Sequence, residues 1–596
     1  MSITLNPLKA GSAANPFQGG RQPAKRAEVL RLPIWRMRIL AILLLLWFVG
    51  LFGRALYLQG LNNEFLRQKG DARTNRVVEI TAHRGMITDR HGEPLAISTP
   101  VEAVSVSPRD LEATPAQLGK LASLLEMDKA ELNKRVSQSQ RDFIYLKRQM
   151  PPEHAAKIME LGIPGLFLQH EYRRYYPYGE VVAHLLGFTG VDDNGQEGLE
   201  LTYQDSLSGK PGSRRVIKDR LGRIVEDVES IRAPQEGRDL VLSIDRKLQY
   251  LAYRELKAAV EANKAKAGAI VAIDAKTGEI MALANLPAFN PNNRVKLNRN
   301  STRNRVVTDI FEPGSTMKPF TIAAALEAGI VKPETPIHTA PGVLNIGPAT
   351  IHDAHPQGTL SVAGVIQKSS NVGAAKIALS LPSETLWNMF DHAGFGSLPK
   401  SDFPGEASGK LRPFKTWRPI EQATMSYGHG ISVSLMQLAR AYMMFASDGE
   451  IKPVSLVKLD APKAGTQVIS PATARAVRAM LEMVVLPGGT APRAQVVGYR
   501  VAGKTGTAHK QENGHYLENS YVASFVGFAP ASDPRLIIAV MIDEPSAGQY
   551  YGGTVAAPVF SQVMAGALLL LSVPPDAPTR NIVMPPEGEP EVKEVV

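Results

Sequence analysis

The sequence predicts an α+β protein with one membrane helix, a mixed N-terminal domain, and a C-terminal domain in which helices cover an antiparallel sheet. An apolar run without charge lies near the N-terminus at 39–53. Two hairpin patterns, at 268–284 and 521–542, flank a long helical segment, which favours one sheet with the helical part folded beside it. Among 596 residues, 44% are hydrophobic and 21% charged, so the chain can bury a large core.

The charge of the chain is concentrated in its first residues. The sequence has 67 Lys and Arg against 57 Asp and Glu, a net charge of +10. Residues 1–38 hold seven basic residues and one acid, a net of +6, which leaves +4 for the other 558 residues. We therefore expect no nucleic-acid partner. The lack of cysteine excludes disulfides, thiolate nucleophiles, iron–sulfur centres and a lipidated cysteine anchor.

The basic tail precedes a predicted membrane anchor. A helix that continues from residue 39 past Arg54 to Gln59 is about 31 Å long, enough to cross the hydrocarbon core. The basic flank places the N-terminus in the cytoplasm and sends the rest outward. A cleaved signal peptide is the alternative, and the lack of a small-x-small cleavage site disfavours it. We expect a cytoplasmic tail over 1–38 and a retained anchor over 39–59.

Composition divides the rest of the chain into three parts. Residues 60–233 are polar, with charged turns that are typical of salt-bridged corners, and predict an α/β domain. A second domain over 234–573 opens with an amphipathic helix capped by Asp245 and carries both hairpins. Residues 574–596 contain six prolines together with acids, which predicts a disordered tail.

Three Ser-x-x-Lys pairs could each supply a nucleophile and an amine base. They are Ser315 with Lys318, Ser397 with Lys400, and Ser455 with Lys458. The first pair begins a predicted helix, where residues three apart share one face. The second has a proline inside the interval and loop-like surroundings. The third reads as a strand, where residues three apart point to opposite faces. Only the first pair fits catalysis.

Two further motifs follow in the chain. Ser369-Ser370-Asn371 is a Ser-x-Asn motif, and by itself it could equally be the N-cap of the next helix. Lys-Thr-Gly occurs at 276–278, where it forms the turn of the first hairpin, and at 504–506, where it ends an extended run and continues into Thr507. The order Ser-x-x-Lys, Ser-x-Asn, Lys-Thr-Gly is that of penicillin-binding proteins and class A β-lactamases.

The chain resembles a class B penicillin-binding protein of the division-specific FtsI type, a monofunctional peptidoglycan D,D-transpeptidase. The resemblance covers about residues 35 to 570 and includes further short segments in both domains: Arg84-Gly85, Asp89-Arg90, Tyr176-Pro177, 184–187, 197–200, 426–430 and 551–560. It implies a β-lactamase-like transpeptidase domain with a five-stranded antiparallel sheet covered by helices. It also implies an elongated N-terminal pedestal of the dimerisation type, and a bacterial inner-membrane protein whose catalytic domain is periplasmic.

The resemblance implies a catalytic role for five of these residues. Ser315 would attack the penultimate D-Ala carbonyl of a stem peptide, with Lys318 as its base. The amine must be neutral, so burial and a nearby cation such as Lys504 must lower its pKa. Ser369 would relay a proton to the leaving amine, and Asn371 would orient Lys318 and hold the substrate amide.

The resemblance also implies how the substrate is held. Lys504, Thr505 and Thr507, with Gly506 between them, would bind the terminal carboxylate of the stem peptide. The backbone N–H groups of Ser315 and Thr507 would form the oxyanion hole. β-Lactams would acylate the same serine and remain bound, because no residue clearly activates a deacylating water. Glu384, four residues before Asn388, loosely copies the hydrolytic pair of β-lactamases, but its helix pattern favours a structural role.

The expected partners are donor and acceptor stem peptides, covalent β-lactams, the membrane, a polytopic division glycosyltransferase of the FtsW type and other division proteins. No cofactor or metal is expected, and His352 and His355 in a loop-like stretch are more typical of polar surface than of a ligand pair. A D,D-carboxypeptidase and an elongation-specific transpeptidase remain alternatives. So does a membrane-anchored scaffold or β-lactam sensor that uses the site only for binding.

Overall fold

The computed structural model describes residues 34–61, 64, 75–137, 141, 143–218, 224–295, 297–512, 514–584 and 592. It divides the chain into two compact units, 1–76 and 77–596. In the first unit, helix α1 spans Ile34–Leu56 and ends in a π-helical turn at Tyr57–Leu61. The segment Ile34–Gly60 is long and apolar enough to cross a membrane, and it begins five residues before the predicted start at residue 39.

The described part of the N-terminal domain contains two sheets. Its strands are β1 (Asn75–Ile80), β2 (Ile87–Thr88), β3 (Pro94–Val106), β4 (Ile144–Met150), β5 (Leu166–Tyr175), β6 (Gly212–Lys218), β7 (Ile224–Arg232) and β8 (Leu240–Val241). One sheet has the order β1-β6-β7, and the other has the order β4-β3-β2-β8 with β5 also paired to β3. Because β8 pairs in parallel with β2, this domain continues beyond the expected boundary at 233.

Short helices complete the N-terminal domain. They are α2 (Pro115–Leu124), α3 (Lys129–Ser137), α4 (Pro152–Met159), α5 (Ala183–Leu186), α6 (Gly198–Thr202) and α7 (Gln204–Leu207). The first three enclose a small separate core that includes Leu121, Leu132 and Ile158. The other three pack into the large core that continues through the C-terminal domain. The two domains therefore share buried apolar surface near their junction.

The charged corners of the N-terminal domain form a buried network, as the sequence predicted. Glu200 is fully buried and accepts hydrogen bonds from Arg84 at 2.8 Å and from Arg174 at 2.6 Å. Arg84 also donates to the side chain of Gln204 at 2.8 Å. A buried carboxylate needs such partners because its desolvation is costly. The network ties β5 to the 184–207 segment that packs on the C-terminal domain.

A five-stranded antiparallel sheet forms the centre of the C-terminal domain, as expected. Its order is β10-β9-β21-β20-β19, where β9 is Ala267–Asp274, β10 Ile280–Leu286, β19 Ala502–Glu512, β20 His515–Ala529 and β21 Leu536–Asp543. Strands β9, β10 and β21 are buried along their whole length. The predicted turn at 276–278 joins β9 to β10, and Asp274 accepts hydrogen bonds from the N–H groups of Lys276 and Thr277.

Helices make up most of the rest of the C-terminal domain, and several of them pack on this sheet. They are α8 (Arg246–Ala262), α9 (Arg299–Thr302), α10 (Arg305–Thr308), α11 (Lys318–Glu327), α12 (Val362–Lys368), α13 (Asn371–Leu379), α14 (Ser383–His392), α15 (Pro419–Met425), α16 (Leu435–Ala441), α17 (Met443–Ala446), α18 (Pro471–Val485), α19 (Gly552–Val555) and α20 (Ala557–Leu570). Asp245 caps α8 by accepting hydrogen bonds from two backbone N–H groups, as predicted. Within the middle segment from α11 to α18, α18 contacts the edge strand β19, whereas α16 packs on β9 and β21.

Short two-stranded pairs connect the helices. They are β11 (Ile310–Phe311) with β16 (Val433–Ser434), β12 (Pro336–His338) with β15 (Thr359–Ser361), β13 (Val343–Ile346) with β14 (Ala349–His352), and β17 (Glu450–Ile451) with β18 (Thr466–Gln467). The β11–β16 pair is the one that matters for the site, since β11 leads directly into the Ser315 segment.

The predicted disorder of the C-terminal tail is wrong for residues 574–584. Asp576 accepts a hydrogen bond from the N–H of Arg500 at 2.7 Å, and Asn581 accepts one from Gly498 at 3.0 Å. The Asn581 amide also donates to the carbonyl of Tyr499 at 2.9 Å. Proline-rich composition does not exclude an extended segment whose polar groups are bound by a neighbouring loop. The rest of the predicted tail lies outside the described residues, apart from residue 592.

Candidate active site

The Ser315 segment forms a tight turn before a helix. Residues Gly314–Met317 adopt a 3₁₀ turn, and Lys318 begins α11, which ends at Glu327 close to the predicted end of the Ala-rich run. In a 3₁₀ turn the side chains at i and i+3 eclipse each other. The Nζ atom of Lys318 therefore lies 2.7 Å from Oγ of Ser315, and both side chains are buried.

Lys318 makes three further short contacts from its amine nitrogen. Nζ lies 2.7 Å from the carbonyl oxygen of Ser369, 3.1 Å from Oγ of Ser369 and 2.7 Å from Oδ1 of Asn371. Two of these atoms are carbonyl-type oxygens, which can only accept hydrogen bonds. A neutral amine that donates its two hydrogens to them directs its lone pair toward the serine hydroxyls. The geometry thus suits an amine that takes a proton from Ser315.

Ser369 reaches the lysine because of an unusual backbone conformation. It lies directly after α12 in the left-handed region, with φ of 57°. This turns its carbonyl and hydroxyl inward, where a right-handed residue would have continued the helix. The sequence left open that the Ser369-Ser370-Asn371 motif caps the next helix, and Ser370 does cap α13, since its Oγ accepts a hydrogen bond from the N–H of Gly373 at 2.9 Å. Asn371, the first residue of α13, is then aimed at Lys318.

Asp353 fixes this turn and was missed by the sequence reasoning. Its carboxylate accepts hydrogen bonds from Oγ of Ser370 at 2.7 Å and from the N–H of Val372 at 2.9 Å. The neighbouring His352 contributes its carbonyl, which accepts from the Asn371 amide at 3.3 Å. The 352–355 segment, whose two histidines were considered as a possible metal site, therefore holds the Ser-x-Asn motif in place. Only its position between two histidines marked Asp353 in the sequence.

The Lys-Thr-Gly motif lies on β19, the edge strand of the sheet. Lys504 is fully buried, with Nζ 3.0 Å from Oγ1 of Thr505, and that hydroxyl is 2.8 Å from Oγ1 of Thr490. Oγ1 of Thr507 accepts a hydrogen bond from the N–H of Gly552 at 3.1 Å. The motif therefore forms a rigid strand, in which Thr490 and Gly552 hold the two threonine hydroxyls in place.

Glycines allow this strand to approach the nucleophile turn. A Cβ at Gly506 would lie 2.6 Å from the carbonyl oxygen of Pro313, and a Cβ at Gly314 would lie 2.9 Å from the carbonyl oxygen of Thr507. Gly428 backs the turn from the other side, with φ of 92° and a hypothetical Cβ only 2.2 Å from the Gly314 carbonyl. The backbones of 313–315 and 506–507 are thus in close contact, as an oxyanion hole built from Ser315 and Thr507 requires.

The 426–430 segment forms one wall of the site, although the sequence assigned it no role. The ring of Tyr427 lies 6.0 Å from the Lys318 amine and 5.2 Å from the ring of His429. Burial, with further contributions from Lys318 and His509, lowers the pKa of His429 to about 4. His429 is therefore neutral at physiological pH and adds no positive charge beside Lys318.

The other candidates lie elsewhere. Ser397 is exposed in a loop, as predicted, and Ser455 forms an isolated bridge to Glu279 where a strand was expected. Glu384 is exposed on α14, while Leu386 and Phe390 on the same helix are fully buried. The helix is amphipathic as predicted, with Glu384 on its solvent face. Within the described ranges, no three His, Cys, Asp or Glu side chains group to hold a metal.

Two family models match the chain. The model described as the penicillin-binding protein transpeptidase domain matches residues 268–565, and that of the penicillin-binding protein dimerisation domain matches 79–242. The transpeptidase match lies within the predicted catalytic domain, 234–573, whereas the dimerisation match extends nine residues beyond the predicted end of the pedestal at 233.

Relatives of known name are similar over most of the chain. The peptidoglycan D,D-transpeptidase FtsI of Escherichia coli is 43% identical over 94% of this chain and 96% of its own. The probable peptidoglycan D,D-transpeptidase PenA of Neisseria meningitidis is 44% identical over 89% of this chain and 92% of its own.

Solved structures agree with these matches. The transpeptidase domain of Burkholderia pseudomallei penicillin-binding protein 3 is 52% identical, with a TM-score of 0.53, and the match covers 56% of this chain and 98% of that one. A peptidoglycan synthetase from Bifidobacterium adolescentis is 25% identical, with a TM-score of 0.68 over 85% of this chain and 99% of that one. With a dimerisation domain, a transpeptidase domain and relatives above 40% identity, the chain belongs to the class B penicillin-binding proteins of the FtsI type, which are peptidoglycan D,D-transpeptidases.

Proposed function

We propose that Ser315 is the nucleophile of this transpeptidase and that Lys318 is its general base. The observation that carries the proposal is the 2.7 Å contact between the lysine amine and the serine hydroxyl, in an amine that also lies 2.7 Å from the Ser369 carbonyl oxygen and from Asn371 Oδ1, the acceptors for the two hydrogens of a neutral amine. Lys318 is fully buried, and burial favours the neutral form of an amine. The lone pair is then free to take the hydroxyl proton.

In the acylation step, Oγ of Ser315 forms a bond to the carbonyl carbon of the penultimate D-Ala, and its proton passes to Lys318. The bond to the terminal D-Ala then breaks, and the leaving amine receives a proton through the hydroxyl of Ser369, which lies 3.1 Å from the lysine. The N–H groups of Ser315 and Thr507 would hold the oxyanion, a donor pair in which each member is typically worth about 3 kcal/mol.

The edge position of β19 supports binding of an extended peptide beside it. Lys504 provides a cation under this strand, and Thr505 and Thr507 provide hydroxyls, a combination suited to the terminal carboxylate of a stem peptide. The acceptor amine of a second stem peptide would then attack the acyl-enzyme and form the crosslink. β-Lactams would acylate Ser315 in place of the donor peptide.

We further propose that the protein acts in septal cell-wall synthesis, since its similarity to the FtsI of Escherichia coli covers 94% of this chain and 96% of that one. The apolar helix at Ile34–Gly60 would anchor it in the inner membrane, with the catalytic domain in the periplasm. The expected partners are a polytopic glycosyltransferase of the FtsW type and other division proteins. The basic residues of 1–38 support a cytoplasmic N-terminus.

Labelling with a fluorescent penicillin tests the assignment of the nucleophile. The purified full-length protein should form one covalent adduct, Ser315→Ala none, and Ser397→Ala the parental amount, because Ser397 begins the second Ser-x-x-Lys pair but lies in an exposed loop. An adduct that persists in Ser315→Ala would mean that another residue is the nucleophile. Release of D-Ala with and without an amine acceptor then separates transpeptidation from carboxypeptidase activity.

A further inference from the structure

Glu312, three residues before Ser315, connects three elements around the cleft. It follows β11 directly, and its side chain is almost entirely buried, with 8% exposed. Oε1 accepts a hydrogen bond from the N–H of Gly430 at 2.8 Å, in the segment that forms one wall of the site. On the opposite side, Tyr516 donates its hydroxyl to Oε2 at 3.0 Å and Gln511 donates its amide to Oε1 at 3.4 Å.

Tyr516 and Gln511 belong to the outer part of the β19–β20 hairpin. They are direct cross-strand partners, so one carboxylate binds both strands at the same level. Strand β21 pairs with β20 only from Val522 to Ala529, so the hairpin beyond Val522 projects past the sheet. On its other face, Lys510 pairs with Asp543 at 2.7 Å, which secures that side to the end of β21. Glu312 secures the face that is turned toward the nucleophile turn.

The hairpin continues the strand that carries Lys504 to Thr507. A movement of its outer part would therefore be transmitted along β19 to the backbone that contacts Gly314. Glu312 is also joined to that turn through Pro313 alone. The carboxylate thus links the position of the hairpin to the position of the nucleophile.

We infer that Glu312 is a positioning residue for acylation. Through Tyr516 it holds the projecting β19–β20 hairpin in a fixed position relative to the Ser315 turn. This inference rests on the proposed role of Ser315. Neither side chain needs to contact the reacting atoms. Loss of the link should lower the rate of the acylation step more than the affinity for a small β-lactam, since a β-lactam that acylates Ser315 would contact the inner part of the site.

The pH dependence of the acylation rate tests this role of Glu312. A purely structural role would leave that pH dependence unchanged. Burial raises the pKa of this carboxyl, and the hydrogen bonds from Gly430 and Tyr516 oppose that increase. The titratable groups on the facing elements are Tyr516 itself and, next to its ring, His429 and His509. Removal of the Tyr516 hydroxyl should raise the pKa of Glu312 further, so the acid limb of the acylation rate should move to higher pH.

The test compares Tyr516→Phe, Glu312→Ala and Glu312→Gln in the full-length protein with a control, His515→Ala, at an exposed position of the same hairpin. Acylation by a fluorescent penicillin is followed by stopped flow, so that the binding constant and the acylation rate constant are obtained separately. Tyr516→Phe should reduce the rate constant about tenfold, the typical effect of one hydrogen bond to a charged group. The double variant Glu312→Ala with Tyr516→Phe should be no slower than Glu312→Ala alone.

Glu312→Gln, which retains an acceptor for Gly430, should recover part of the rate. It should also lack any acid limb that arises from this carboxyl, and His515→Ala should behave as the parent. Additive losses in the double variant, or an acid limb that does not move in Tyr516→Phe, would overturn the inference. Failure of the parent to form an adduct, or labelling of Ser315→Ala, would instead contradict the proposed nucleophile. Thermal unfolding of each variant shows whether a slow protein is folded.

Discussion

Asn371→Asp places a negative charge beside the amine that is proposed to act as a base. The two side chains are nearly isosteric, and Oδ1 of Asn371 lies 2.7 Å from Nζ of Lys318. At that distance and an effective dielectric constant of about 20, a carboxylate attracts an ammonium by about 6 kcal/mol. Burial of the new carboxylate offsets part of this energy, and we take about half as the net effect. The ammonium form of Lys318 should therefore be stabilised by about 3 kcal/mol.

This change should remove the base at neutral pH and restore it in alkaline solution. About 3 kcal/mol corresponds to about 2 pH units, so about 100-fold less neutral amine is present near pH 7. The second-order rate constant for acylation by penicillin should fall by that factor at pH 7 and approach the parental value at high pH. Stopped-flow fluorescence between pH 6 and about pH 10 measures the whole profile.

A matched variant separates this effect from a general effect of added charge. Asn345→Asp introduces the same group on β13, where the side chain is exposed, and should leave the profile unchanged. An equal loss at every pH in Asn371→Asp would show that Asn371 acts through substrate contacts or packing and does not control the protonation of Lys318. Unchanged acylation at pH 7 would refute the assignment of Lys318 as the base.

Three further changes test the packing around the site and the junction of the domains. Gly428→Ala should reduce acylation at least about tenfold, measured by penicillin labelling, because the left-handed backbone is strained by roughly 1–2 kcal/mol and the new Cβ would lie 2.2 Å from the Gly314 carbonyl. Glu200→Gln should lower the free energy of unfolding in urea by about 3–5 kcal/mol, since it leaves Arg84 charged and buried without its carboxylate; a loss below about 1 kcal/mol would contradict the importance of the network. His184 is buried, and burial lowers its pKa to about 4. As the pH falls, this histidine therefore takes up a proton in the unfolded chain before it does so in the folded protein. Its contribution to the free energy of unfolding should be fully present above about pH 6.5 and should fall by about 3 kcal/mol toward pH 4. In His184→Gln the loss of unfolding free energy between about pH 6.5 and pH 4 should be smaller by about 3 kcal/mol. An unchanged loss would show that His184 is not the group that causes it.

Local patterns in the sequence were sufficient to predict much of the fold. The hairpins, the amphipathic α14 and the cap of α8 each depend on residues within a few positions of one another. The five-stranded sheet was predicted from the family resemblance, because the pairing of β9 with β21 joins residues more than 250 positions apart. The fixed structure of residues 574–584 was missed for a similar reason. Asn581 is bound by a loop around Tyr499, which is distant in the sequence, and not by its own neighbours.

The candidate site also has features that local sequence patterns predict and features that they do not. The 3₁₀ turn makes the contact between Ser315 and Lys318 a consequence of sequence spacing. The approach of Ser369 depends on a left-handed residue at a position that is not glycine, which propensity alone would not predict. Glu312 and Asp353 were missed because an isolated acid has no signature until its partners are known.

These supporting residues explain how a site built from distant segments is held together. Each of the three motifs has neighbours that fix it: Gly428 supports the nucleophile turn, Asp353 the Ser-x-Asn turn, and Thr490 the Lys-Thr-Gly strand. Most of these contacts use buried polar groups or glycines, which tolerate little displacement because an unpaired buried group or an added Cβ is costly. The lysine amine makes four short contacts, and it can satisfy them only if the nucleophile turn and the Ser-x-Asn turn keep their positions. Rigid support of this kind would keep the lysine amine and the Ser315 hydroxyl at the 2.7 Å separation that the proposed proton transfer requires.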